Sequence, residues 1–137
     1  MNPSAVLRKL IRACVDDECT LRHESTLVDA GRAEPLMRLA REREQFVADL
    51  EQLADCEQSH DGSWSELWRE AKRNLWVAAA GRNAGDAITS CRRSRTRIEA
   101  RYDKALQSSW PDEVQRVLAA QRRRVQDEAD ELIGIQF

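Results

Sequence analysis

The chain has 137 residues and a formal net charge of −2, from 22 basic and 24 acidic side chains, with only 5 Gly, 3 Pro and 5% aromatic content. That length suits one domain with a buried core, and so few turn and strand formers exclude a sheet-rich fold. No apolar run reaches the roughly 20 residues that a transmembrane helix needs, and acids and bases alternate without a block that marks a nucleic-acid footprint.

The first helix is expected over 4–29, with Asn2 or Ser4 as cap and Pro3 in the first turn. Its apolar stripe is Leu7, Leu10, Cys14, Leu21 and Val28, and the two positions that complete the stripe are acidic, Asp17 and Glu24. Gly31 in Ala30-Gly31-Arg32-Ala33 is the expected left-handed terminator. A second helix follows over 34–56, opened by Pro35 and striped by Leu36, Leu39, Arg43, Phe46, Leu50 and Leu53. The short link makes these two helices an antiparallel hairpin.

A polar stretch to Asp61-Gly62 precedes the capping box Ser63-Trp64-Ser65-Glu66, which opens a shorter helix over 63–80. Trp64, Trp68 and Trp76 lie on it as a packed lid or as an interface or ligand surface. A third long helix spans 86–107, with Ile88, Cys91, Arg95, Ile98, Tyr102 and Ala105 on its stripe. The last spans 111–134, with Val114, Leu118, Gln121, Val125, Glu128 and Leu132. Two hairpins joined by a long connection with its own helix point to an all-α, ferritin-like four-helix bundle, a single domain over 1–137.

Each long helix thus carries a polar residue where its stripe requires an apolar one: Asp17 and Glu24, Arg43, Arg95, Gln121 and Glu128. Unpaired charges in a core are costly, so these should pair or bind something. Three acids against two arginines suit a salt-bridged interior belt. The alternative is a di-iron or di-manganese carboxylate centre on Asp17, Glu24 and Glu128 with His23. That chemistry draws on Glu-x-x-His pairs, which the chain lacks, and a fixed guanidinium repels a metal ion. No cofactor is therefore expected. His60 falls in the polar loop. The four cysteines, Cys14, Cys19, Cys56 and Cys91, form no C-x-x-C pair, and Cys14 and Cys91 sit on apolar stripes as small hydrophobes. Arg92, Arg93, Arg97 and Arg101, and Arg122 to Arg124, are expected to be solvated or paired within the chain. Met1-Asn2-Pro3-Ser4 lacks a basic leader and an apolar run, so a cytoplasmic protein is expected. No phosphate loop or catalytic triad motif is present.

In the order of these features the chain resembles a family of uncharacterised bacterial ferritin-like four-helix-bundle proteins, a domain of unknown function. The resemblance runs from Leu7 to Leu132. It rests on Leu10-Ile11 before Asp16, and on Leu39-Ala40-Arg41-Glu42-Arg43 before Phe46 and Leu50. It continues in Ser63 to Trp68, Leu75, Gly81, Ala87-Ile88, Cys91, Tyr102, Ala105-Leu106, Pro111, Val114 and Gln121. It implies a ferritin-like fold, no established activity and a link to stress response. Where relatives carry an acidic run in the third helix, this chain has Arg92, Arg95 and Thr96. The function expected is a non-catalytic bundle acting by self-association, as a homodimer, or by protein contacts, with no nucleic acid and no membrane as partner. A metal-storage or redox protein is the alternative, and an apolar ligand under the crossover helix a third reading.

Overall fold

A computed structural model of the protein describes residues 3–57 and 84–134. These form four helices: α1 (Pro3–Ser25), α2 (Ala30–Glu57), α3 (Ala84–Leu106) and α4 (Asp112–Gly134). The described residues contain no strand, and none of their helices is long and apolar enough to cross a membrane. The expected helix over 63–80, its three tryptophans and His60 lie outside the described residues.

The helices pack as a ring, α1 on α2, α2 on α4, α4 on α3 and α3 on α1, with the diagonal pairs apart. Cross-helix bonds set every neighbour antiparallel. Between α1 and α2, Ser25 meets Met37 and Asp17 meets Arg43. Between α2 and α4 the rungs run from Arg38 with Glu131, through Arg43 with Glu128, to Phe46 with Gln121. Between α1 and α3, Val6, Lys9 and Leu10 lie beside Arg101 and Lys104, and the furrow they begin continues past Asp16 and Ser94. The order is therefore up, down, down, up, and Glu57 and Ala84 lie at opposite ends of the bundle.

The link between α1 and α2 differs from the sequence expectation. The first helix ends at Ser25, not near residue 29. Ser25 and Thr26 turn their hydroxyls back onto the carbonyls of Arg22 and His23, both at 2.6 Å. The backbone then tightens to three-residue bonds, Thr26 to His23 and Leu27 to Glu24, each 3.0 Å. Such local bonding by Ser and Thr competes with helix continuation. Asp29 caps the second helix, its Oδ1 accepting from the Arg32 backbone N–H at 3.0 Å. Ala30-Gly31-Arg32-Ala33 is therefore the first turn of α2, and Gly31 does not terminate a helix. Pro35 follows inside α2 rather than at its start.

The second hairpin turns at Ser109-Trp110-Pro111. Trp110 is half-buried against the core, and its indole N–H donates at 2.7 Å to the Ala105 carbonyl, which also accepts from the Ser108 backbone N–H at 3.1 Å at the end of α3.

The apolar interior is in two parts. The larger includes Leu7, Leu10, Ile11, Cys14, Phe46, Leu50, Ile98, Tyr102, Leu118 and Val125. The smaller holds Leu21, Leu36, Leu39, Ala40, Cys91 and Leu132. Along every helix the two parts are separated at one level. There α1 contributes Asp17, α2 Arg43, α3 the buried Ser94, and α4 Glu128.

Candidate functional site

Arg43 is the centre of that level. Its side chain is 1% exposed, and it is among the largest fully buried side chains described. The guanidinium Nε donates to Asp17 Oδ2 at 2.7 Å and Nη2 donates to Glu128 Oε2 at 2.5 Å. The group lies 5.0 Å from the centre of the Phe46 ring, close enough for a cation–π contact from one turn along its own helix. Three helices are thus joined through one side chain. Only arginine has the reach and the planar fork to donate to two carboxylates at once in a dry site.

A second polar chain adjoins it. The Tyr102 hydroxyl donates to Gln121 Oε1 at 2.6 Å, and Cys14 Sγ lies 3.5 Å from the same hydroxyl. A phenol has one proton, and Gln121 takes it, so the Cys14 thiol is the donor to Tyr102. Gln121 in turn directs its amide N–H toward the Phe46 carbonyl at 3.4 Å. Cys14 and Asp17 are neighbours on α1, Arg43 and Phe46 on α2, and Gln121 and Glu128 are two turns apart on α4. The two chains therefore lie next to each other along the bundle, close enough for the charges of Arg43, Asp17 and Glu128 to act on Cys14, and between them they make a polar layer that draws on all four helices.

Its electrostatics are unbalanced, because one guanidinium faces two acids. Burial works against the charge on Arg43, but Asp17 and Glu128 more than offset it, and its pKa stays above the ordinary arginine value. Burial pushes Glu128 up to about 7, against a downward pull from Arg43 and a further push from Asp17. The layer thus takes up a proton near neutrality. Burial also raises the Cys14 thiol to about 11 and the Tyr102 hydroxyl well above its usual value. At neutral pH Cys14 is a protonated, weakly nucleophilic thiol. Asp17 Oδ1, Arg43 Nη1 and Glu128 Oε1 are buried and make no hydrogen bond among the described residues.

Of the sequence-expected belt, Asp17, Arg43, Gln121 and Glu128 come together. Glu24 is fully buried, two turns further along α1, while the ion pairs of Arg43 go to Asp17 and Glu128. Arg95 does not enter the belt. Its side chain is 18% exposed and pairs with Glu99 one turn along its own helix, at 2.6 Å. Ser94, one position round, takes the inward place on α3. His23 is half-buried at the helix boundary. Trp64, Trp68 and Trp76 lie outside the described residues.

The stripe pattern counted Tyr102 and Cys14 as apolar and so missed their polar atoms, which lie on the same face as Asp17. It also missed Glu18, one position off the stripe and buried. Arg22 holds it at 2.7 Å and reaches Glu44 on α2 at 2.7 Å. Of the basic runs, Arg122 pairs with Asp103 at 2.7 Å and Arg124 grips both carboxylate oxygens of Glu42 at 2.6 and 2.8 Å.

As a metal centre the layer is poorly suited. Among the described residues no three His, Cys, Asp or Glu side chains are grouped to hold an ion. Arg43 lies between the two acids that would be the ligands, and its fixed positive charge opposes a cation there.

No protein-family model matches the chain, and no curated protein or solved structure matches it either. The functional reading therefore rests on the residues themselves.

Proposed function

We propose that the protein is a non-catalytic, ferritin-like four-helix bundle whose interior polar layer is salt-bridged rather than metal-bound. It works by self-association, as a homodimer, or by docking a protein partner through the segment bearing Trp64, Trp68 and Trp76. The observation that carries this reading is the placement of Arg43. It donates a hydrogen bond to each of the two inward acids of α1 and α4 and stands where a di-metal centre would need an ion. The up, down, down, up order of the helices supports the ferritin-like assignment, since a long connection between the second and third helices characterises that class. Cys14, Cys19 and Cys91 are free thiols, as suits a reducing compartment such as the cytoplasm.

The buried charges then act as a register device. Pairing Arg43 with partners on two helices penalises any slide of α2 by one turn, because a slid arginine would leave three charges unpaired in the interior.

Two measurements test this reading. Metal analysis of protein purified without chelator should find less than stoichiometric iron, manganese or zinc. Light scattering should give twice the chain mass, with the dimer lost when Trp64, Trp68 and Trp76 are replaced by Ala. Stoichiometric metal that disappears with Asp17→Asn would instead establish the di-metal carboxylate reading. A monomer that captures no partner would overturn the association reading.

A further inference from the structure

Sequence order conceals how far the charges separate in space. Four acids lie on α1: Asp16, Asp17, Glu18 and Glu24. Three of these, Asp17, Glu18 and Glu24, are buried, so the outer surface of α1 keeps Lys9 and Arg12 with Asp16 alone among them. On α3, Glu99 and Asp103 are turned to α4, where Arg122 takes both. The ion pairs of α3 among the described residues leave out Arg93, Arg97, Arg101 and Lys104, all exposed. Internal pairing thus turns Glu99 and Asp103 away from α1, burial withdraws three of the four α1 acids, and the exposed cations of α3 are left outward.

These cations share one place. The furrow between α1 and α3 is lined by Lys9, Arg12, Arg97 and Arg101, with Asp16 the single acid among the described residues there. Lys104 extends it toward one end of the bundle, beside Lys9 and Arg101. Arg93 and Arg97 extend it toward the other. On α3 the row Arg93, Arg97, Arg101 has four-residue spacing, so each step rises about 6 Å and the row to Lys104 spans about 17 Å.

We propose that this furrow binds the phosphate backbone of double-stranded nucleic acid, without reading its sequence. The inference is independent of the function proposed above. A duplex presents one phosphate per roughly 3.4 Å of its axis on each strand, so about 17 Å of duplex offers about five phosphates per strand to the cations of the furrow. Arginine dominates the row, and its fork matches phosphate oxygens in pairs. Two ridges of cations flanking a furrow fit a charged rod better than a flat headgroup surface. Among the described residues the furrow lining offers no aromatic side chain, so they provide neither base stacking for a single strand nor buried anchors for a peptide partner.

The experiment uses the full chain and a fluorescent duplex of about 30 base pairs of arbitrary sequence, titrated by anisotropy from about 50 to about 200 mM salt. Binding should weaken with a log–log salt slope of about −5. Arg93→Gln/Arg97→Gln/Arg101→Gln, all at exposed positions, should weaken binding at least tenfold and flatten the slope by about 2 to 3. Arg116→Gln/Arg123→Gln, exposed on α4, should change neither. The proposal is overturned if the wild-type chain shows no salt-dependent binding, or if the α4 pair lowers binding as much as the α3 triple. It is overturned in class if phosphatidylserine vesicles or polyglutamate, at equal charge, displace the duplex better than unlabelled duplex does.

Discussion

Replacing Arg43 with Met keeps an unbranched side chain in place and deletes the one cation of the buried layer. Asp17 and Glu128, 2% and 1% exposed, would then lose the donors at 2.7 and 2.5 Å and face each other across the core. Breaking a buried pair by removing one partner costs about 3–5 kcal/mol, most of it the desolvation of charges left behind. With a urea slope of about 2 kcal/mol per M for a domain of this size, a loss near 4 kcal/mol moves the unfolding midpoint down by about 2 M. Domains hold only about 5–15 kcal/mol in total, so Arg43→Lys serves as a milder companion, retaining charge but losing the double fork at a cost of about 1–2 kcal/mol. Protonating Glu128 removes one of the stranded charges, so the loss in Arg43→Met should be smaller at pH 5 than at pH 8. The triple variant Asp17→Leu/Arg43→Met/Glu128→Met removes every charge of the set and should lie within about 2 kcal/mol of wild type, or above it. A midpoint shift under about 0.5 M for Arg43→Met, or a triple variant less stable than Arg43→Met alone, would refute the reasoning.

Three further outcomes follow from the same layer. Glu128 titrates near 7 in the folded state against 4.5 for the free group, so between those values the folded chain holds a proton that the unfolded chain has released. Stability contributed by this group is present below about pH 4.5 and is lost as pH rises through about 7, by at most about 3 kcal/mol, and Glu128→Gln should remove that slope from denaturation curves taken across the window. Tyr102→Phe deprives the buried Gln121 Oε1 of its donor and should cost about 1–3 kcal/mol, while Tyr102→Phe/Gln121→Leu should recover part of it in a double-mutant cycle. Cys14, held protonated by burial, should stay unlabelled by iodoacetamide at pH 8 in the native chain, as mapped by mass spectrometry, and label fully in urea.

The stripe positions carried most of the fold. Leu7, Leu10, Cys14 and Leu21 on α1, and Leu36, Leu39, Phe46 and Leu50 on α2, all lie in the core at the places their spacing assigns. The site was half legible. Asp17, Arg43, Gln121 and Glu128 stood out because each breaks an apolar stripe. Arg95 breaks one too, yet the structure turns it outward, since a long side chain near a boundary can reach Glu99 and solvent at little cost. The link departs from the glycine signal at Gly31 because Asp29 offers a cap and Ser25 and Thr26 a stop, both local chemistry that outweighs a glycine.

Periodicity by itself determined that four long helices form, which face of each turns inward, and that charges must enter the core, because these follow from the helical repeat and from the cost of burying polar groups. Only the tertiary structure decided which charges meet. Pairing depends on the vertical match of helices far apart in sequence, and that match set Arg43 between Asp17 and Glu128 while leaving Arg95 at the edge. The same match turned the acids of α1 and α3 inward or toward α4. A chain with alternating charge thereby acquired a furrow lined almost wholly by cations.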